Sequence, residues 1–382
     1  MVTIDQKKIN LSLRINTKVL LAYLFFLFFN IIYYLYFTTN WECYTNTEPP
    51  YCNEVFYHSL IGDSAKAYLP NLSMLIETGA LNEWSVNNYS HYISYIYYFL
   101  WLIFRFKIEN AFFVAFIVNN ILVILSYVFF VRIGREIIGL QMRLRWLYFL
   151  NPLLIYTSQM ISKESFLLAL IMMIAYYLNN NFRTFRERIA LFFTLVTTVF
   201  VRYPFILLGV SRYICKENHV IIKRLIFIVV TLLLLNGYRY SLINPENSQY
   251  LPNAGVALKA FEFNHFYLGS LLLAPVKIIA NCYDLLTNLF SQFVTSKINF
   301  YQISSIPITI ALLTKYKMVI FILMHPIAAL RGPLGPLLAF VIIFLVIISA
   351  NIYIHDRYLW PILPLLMLVL IGIKKKHLRY RR

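Results

Sequence analysis

Long unbroken apolar runs alternate with short polar stretches along most of the chain. The run at 19–37 is long enough to cross about 30 Å of hydrocarbon as a helix, and a second clear run lies at 111–131. Further runs at about 220–238, at about 335–353 and from there to about 373 predict more spans. The runs are continuous, not alternating, which predicts helices rather than membrane β-strands. The apolar stretch 92–106 is short and rich in tyrosine, and predicts a re-entrant or interfacial helix. "WLYFLNPLLIYTSQMISKESFLLALIMMIAYYL" predicts two helices with a polar break at 158–163. A second break is predicted at Arg202, Tyr203 and Pro204, because proline lacks an N–H and restricts the residue before it. The region 266–332 mixes apolar runs with Lys277, Asp284, Lys297, Lys315, Lys317 and Arg331, and does not resolve into a number of crossings. The pattern predicts an all-α polytopic membrane bundle of roughly 10–12 spans at about 20 residues each. It is organised as one integral membrane domain: a first span at 19–37, an external loop at 38–91, a core at 92–238, a second external loop at 239–265, C-terminal spans within 266–373, and a basic tail at 374–382.

Composition agrees with the pattern. Of 382 residues, 60% are hydrophobic and 13% charged, and mean hydropathy is +0.67; a soluble domain rarely reads this way. The net charge of +18 would suggest nucleic acid in a soluble protein. Here the bases gather beside the spans and mark cytoplasmic loops instead: Lys7, Lys8, Arg14 and Lys18 before the first run, Arg132, Arg135, Arg143 and Arg145 after the run at 111–131, and "KKKHLRYRR" at the end. Both termini are thus expected in the cytoplasm, and no nucleic-acid partner is expected. The first run has no small-residue cleavage site after it and reads as a span, not as a removed leader. The segment 38–91 holds Glu42, Glu48, Glu54, Asp63, Glu77 and Glu83 against one base, Lys66, which fits an external loop. Residues 64–79 within it predict one or two short amphipathic helices on the membrane surface. Cys43 and Cys52 in the same loop fit either a disulfide or two free thiols.

This topology puts Asp63, Glu164, Arg202, His355, Asp356 and Arg357 on one side of the membrane. Ionisable residues at such positions are costly and often functional. The plainer readings are a solvated Asp63, a Lys163–Glu164 pair, and arginines that reach to phospholipid headgroups. Two carboxylates on one face suit a general base for a hydroxyl, or a divalent cation that neutralises a phosphate leaving group. Arginine suits the phosphate itself through its planar fork of donors. The chain has no Walker motif, Gly-rich nucleotide loop, HExxH or GxSxG. A donor embedded in the membrane would need no nucleotide site.

Four stretches resemble the GT-C superfamily of membrane glycosyltransferases, in the branch that includes protein O-mannosyltransferases and the lipid A aminoarabinose transferase. They are "GDSAKAYLPNLSMLIETG", "NNILVILSYVFFVRIGREIIG", "NPLLIYTSQMISKE" and "HDRYLWPILPLLMLVL". The likeness runs over roughly 19–210 and again over 335–373. The resemblance implies a GT-C-like bundle with an amphipathic first external loop. It implies that Asp63 is the catalytic or cation-linked acid of that loop, Glu164 the second-loop acid, and Arg357 a contact to lipid phosphate. Arg202, Tyr68, Tyr358 and His355 join them as candidate substrate and phosphate contacts. The paired acid usual near the first-loop site is reduced here to Gly62-Asp63. A divalent cation (Mg, Mn or Zn) held by Asp63 and Glu164 is the one cofactor this leaves open. The implied activity is transfer of a sugar from a polyprenyl-phosphate carrier to a lipid-linked glycan acceptor. It would take place at the outer face of a bacterial inner membrane, in O-antigen or lipopolysaccharide assembly. Two alternatives stand: an O-antigen polymerase using polyprenyl-diphosphate-linked repeat units, and a flippase for lipid-linked sugar.

Overall fold

The computed structural model describes residues 17–39, 68–81, 92–140, 145–151, 154–155, 158–159, 161–180 and 184–211, a few residues between 220 and 231, 329–330, 334–349 and 360–380. Among these residues the structure is helical, without strands. The principal helices are α1 (Thr17–Thr39), α2 (Leu69–Thr78), α3 (Ile93–Phe104), α4 (Ala111–Arg132), α5 (Glu164–Asn179), α6 (Phe185–Arg202), α7 (Gly335–Ser349) and α8 (Leu363–Tyr380). Two of the described helical segments are long and apolar enough to cross a bilayer: Thr17–Leu35 within α1, and Ile108–Ile137, which contains α4.

Those two helices carry their polar groups inward and their large apolar groups outward. On α1, Ala22, Phe26 and Asn30 are buried at i, i+4 and i+8, while Leu21, Leu24, Phe25, Phe28, Ile32 and Leu35 are exposed. On α4, Asn119, Asn120 and Ser126 are buried, while Phe113, Ile117, Ile121 and Val128 face out. A helix surrounded by water shows the reverse order. This arrangement suits an apolar surrounding in which polar groups must find partners inside the protein.

They find them. Asn30 Nδ2 donates to Asn120 Oδ1 at 3.1 Å, and Ser158 Oγ donates to Asn30 Oδ1 at 3.0 Å, sharing its single proton with the Leu154 carbonyl at 2.6 Å. Asn120 Nδ2 turns back to the Phe116 carbonyl at 2.7 Å. Tyr34 meets Phe116 at 5.0 Å between ring centroids, and Phe149 meets both Tyr23 (5.3 Å) and Tyr127 (4.6 Å). α1 and α4 are therefore antiparallel, with the Phe149 ring wedged between them.

α5 is the central element. Nearly every position along it is buried, as expected of a helix apolar on all sides. α4, α6, α7 and the 3-10 turn Trp360–Ile362 all pack against it. α5 and α6 form an antiparallel hairpin closed by hydrogen bonds at the 180–184 connection. Thr184 and Glu187 make a capping box: the Glu187 N–H donates to Thr184 Oγ1 (3.3 Å), and the Thr184 N–H donates to Glu187 Oε2 (3.1 Å). Asn180 Nδ2 contacts the Tyr176 hydroxyl (3.0 Å), which donates to Glu136 Oε2 (2.7 Å), and the Arg132 guanidinium lies over the Tyr176 ring at 5.7 Å. At this end of the hairpin the polar groups have partners.

Several expectations hold and some are corrected. The stretch 92–106 forms a helix of 12 residues, which rises about 18 Å and falls short of a hydrocarbon core of about 30 Å. It stops where Arg105 adopts a left-handed conformation (φ 48°) with its guanidinium 4.6 Å from the Trp101 ring. Of the first of the two helices expected over 146–178, the described residues show only part, with helical backbone at 154–155. Before it lie a 3-10 turn at Arg145–Tyr148 and further turns at 149–150, and after it bends at 158, 159, 161 and 163. The basic tail expected at 374–382 continues α8 to Tyr380, because lysine and arginine are good helix formers.

Replacing Asn30 by Val should lower stability by about 1 kcal/mol, because the Asn120 carbonyl and Ser158 hydroxyl each lose a partner. Titration of the micelle-embedded protein with a denaturing detergent measures this. The double variant with Asn120→Val should recover about 0.6 kcal/mol; strict additivity would show that the pair does not interact.

Candidate functional site

The short helix α2 is built from its sequence in a simple way. Pro70 sits in its first turn, where a missing N–H costs nothing. Gly79 ends it at φ 74°, with its N–H bonded to the Leu75 carbonyl at 3.0 Å. Tyr68, Asn71, Leu72 and Leu75 are buried and Pro70, Glu77 and Thr78 are exposed, so the amphipathic helix expected in 64–79 forms. Its inner face packs on α3, where Ser94 Oγ donates to the Tyr68 carbonyl at 3.2 Å. One turn further along α3, the Tyr97 ring meets Phe166 at 6.1 Å, edge to face. Phe166 lies in the first turn of α5, two residues after Glu164.

This chain of contacts brings Tyr68 into the packed body that holds Glu164. The hairpin adds Arg202, since α6 ends at the end where α5 begins. The backbone at Arg202 is extended (φ −166°, ψ 96°), which breaks the helix before Pro204 as expected, and its guanidinium lies 5.7 Å from the Phe205 ring. Phe205 in turn stacks on Phe344 of α7 at 4.9 Å. Asp63, His355, Arg357 and Tyr358 lie outside the described residues, as do Cys43 and Cys52. Chain length still limits Asp63: five residues reach at most about 18 Å from Tyr68.

Glu164 is the most unusual side chain of the group. It is 1% exposed, and neither carboxylate oxygen has a hydrogen-bond partner within the protein. Lys163 beside it is also buried, at 4%, and it does not hydrogen-bond the carboxylate. The break lies inside the packed body and not at its rim. Ser158, Gln159, Ile161, Ser162, Lys163 and Glu164 are all buried. Ser158 is held by Asn30, nine residues before the end of α1 at Thr39, or about 13 Å along the helix.

Two further buried polar atoms belong to residues not singled out by sequence. Gln159 is 1% exposed; its Nε2 donates to the Ile155 carbonyl, which leaves Oε1 as an acceptor without a partner. The Tyr97 hydroxyl is also buried and without a partner. A glutamine in a polar break and a tyrosine on an aromatic helix carry no signal of their own. Its ring contact with Phe166 and its full burial distinguish Tyr97.

A divalent cation needs more oxygen ligands than one carboxylate gives. Among the described residues no three His, Cys, Asp or Glu side chains come together. Of the two expected cation ligands only Glu164 is among them, so the fit of a cation turns on Asp63. A surface groove lined by Lys18, Leu21, Ala22, Phe25, Trp146 and Leu150 lies near the start of α1, away from Glu164. Compared with known protein families, curated proteins and solved structures, the chain matches none at a level that shows common descent.

An unpartnered buried carboxylate costs several kcal/mol. Replacing Glu164 by Leu, similar in volume, should therefore raise unfolding free energy by about 1–4 kcal/mol. Thermal unfolding of the purified protein in lipid nanodiscs measures this. A lowered midpoint would mean that the fold already satisfies the carboxylate.

Proposed function

We propose that the chain is a polytopic inner-membrane glycosyltransferase of the GT-C type. It takes a sugar from a polyprenyl-phosphate carrier and passes it to a lipid-linked glycan acceptor. The place is the outer face of a bacterial inner membrane, and the product belongs to surface-glycan assembly. The observation that supports this most is Glu164: a carboxylate without a partner, kept inside a bundle whose outward faces are apolar. A fold bears such a cost where the group has work to do. The two helix breaks, at 158–163 and at Arg202, place Glu164 and Arg202 at one end of the α5–α6 hairpin.

In this reading Asp63 takes the proton of the acceptor hydroxyl. The acceptor oxygen then attacks the anomeric carbon as the bond from that carbon to the carrier phosphate breaks, inverting the configuration. Arg202 and Arg357 hold the departing phosphate, whose negative charge matches their forked donors. His355 and Tyr358 neighbour Arg357 in sequence, and Tyr68 follows Asp63 by five residues. Glu164 orients the acceptor. If a divalent cation is bound, Asp63 and Glu164 would hold it, and it would supply charge neutralisation at the phosphate.

A second reading is favoured by the same burial. Transporters also keep ionisable side chains inside the bundle, and Lys163 and Glu164 are both there. A flippase for lipid-linked sugar would bind the carrier lipid without forming a glycosidic bond. A polymerase would form one repeatedly.

Transfer of radiolabelled glycan from a polyprenyl carrier in proteoliposomes separates the three. Wild type should form a labelled lipid-linked product, Asp63→Asn should lose about 10²–10⁴-fold of the rate, and Glu164→Gln should lose at least about tenfold with its fold intact. A ladder of product lengths would indicate polymerisation. Translocation of the carrier with no new product would overturn the transferase reading.

A further inference from the structure

The groove near the start of α1 differs from the apolar faces around it in shape and in charge. Lys18, Leu21, Ala22 and Phe25 follow one another at i, i+3, i+4 and i+7, and so line one face of α1. Trp146 and Leu150 also line it. They lie on the 3-10 turn Arg145–Tyr148, which packs against α1, and just after it. The groove has a volume of about 730 Å³, within the range of about 300–1,000 Å³ usual for a bound small molecule. From Lys18 to Phe25 it descends about 10 Å along the helix. Lys18 gives it one charged end. The other side chains that line it are apolar but for the indole N–H, and Leu21 and Phe25 are 61% and 50% exposed.

Further cations gather at this end of the bundle. Arg145 adjoins Trp146 in the chain, and Arg145 and Arg135 both act electrostatically on Tyr127. The Tyr127 ring meets Phe149, which meets Tyr23, the residue after Ala22. The first turn of α1 holds no acidic residue, so the positive end of its dipole adds to the charge. The acid next to Arg135, Glu136, accepts a hydrogen bond from the Tyr176 hydroxyl. Tyr176 is 12 residues along α5 from Glu164, or about 18 Å, so the groove and Glu164 belong to opposite ends of the bundle.

An apolar slot with cations at its mouth fits an amphiphile with an anionic head. A free anion would leave the apolar lining exposed. A lipid without net charge would fill the slot but leave the cations unmatched. A phospholipid of net negative charge meets both parts: basic residues at a bilayer surface attract it, arginine matches its phosphate, and a tryptophan ring suits headgroup depth. We infer that this groove binds an anionic phospholipid of the surrounding bilayer, with an acyl chain along Leu21, Phe25, Trp146 and Leu150 and its phosphate at Lys18 and Arg145. The site is independent of the glycosyl-transfer reading and distant from the carboxylate on which that reading rests. A lipid held there bridges α1 and the 145–150 segment.

The test is photolabelling of the full chain in phosphatidylcholine nanodiscs. A minor share of the lipid carries a diazirine on one acyl chain, either as phosphatidylglycerol or as phosphatidylcholine, and peptide mass spectrometry locates the label. Phosphatidylglycerol should label the peptides that carry Leu21, Phe25 and Trp146 at least about fivefold more than phosphatidylcholine does. Both lipids should label the exposed Phe192 and Phe193 of α6 equally. Lys18→Gln and Arg145→Gln should each lower the preference for phosphatidylglycerol about fivefold, with an unchanged unfolding midpoint. High salt should lower the same preference in the unaltered protein. Leu21→Trp, at an exposed position, should fill the slot and reduce its labelling by both lipids. Labelling without headgroup preference would mean ordinary bilayer contact and would overturn the inference. So would a preference that neither charge variant nor salt changes. A groove that no lipid labels while α6 is labelled would mean that protein covers it, a second copy or residues of the same chain, and would overturn it too.

Discussion

Inside an apolar bundle there is no water to complete a hydrogen bond, so Asn30, Asn120 and Ser158 must complete one another's. The remaining architecture depends on that tie. It sets the register of α1 against α4, and it pins Ser158 to α1. Once Ser158 is fixed there, the residues that follow have nowhere to go but inward. Gln159, Lys163 and Glu164 enter the protein because the chain has been anchored well short of the end of α1. The energy of each interhelical bond is modest, on the order of 0.6 kcal/mol. Its consequence is positional: three sequence-distant elements acquire one geometry.

The α5–α6 hairpin is satisfied at one end and unsatisfied at the other. At the closed end, Glu136, Tyr176, Asn180, Thr184 and Glu187 bond one another, with Arg132 lying over the Tyr176 ring. At the open end, Glu164, Gln159 and Tyr97 present atoms with no partner in the protein. The two ends are built from the same kinds of side chain, so composition does not explain the difference. The closed end holds the hairpin together, which lets the open end keep groups that cost stability. Stability and function are commonly divided in this way.

Much of the fold was legible from residue order. Apolar run length gave α1 and α4, the amphipathic stretch 64–79 gave α2, and Pro204 gave the break after α6. Before the 158–163 break the described residues show helical backbone at 154–155. Of the candidate site, Glu164 and Arg202 were placed at one end by topology alone, and Tyr68 joined them through α3. Asp63, His355, Arg357 and Tyr358 lie outside the described residues. Tyr97 and Gln159 were missed, since neither departs from the pattern around it.

The sequence by itself determined that α1, α2, α4 and α5 are helical and that α6 breaks before Pro204, because hydrophobic run length, proline and glycine act over a few neighbouring residues. It also made an apolar exterior expected, since few charges interrupt the long runs. Only the tertiary structure decided which side of each helix faces inward, and that Glu164 is buried beside Lys163 without bonding it. Which atoms stay without partners is set by contacts between residues 26 to 128 positions apart, such as Tyr68 with Ser94 and Asn30 with Ser158. No local rule of sequence reaches that far.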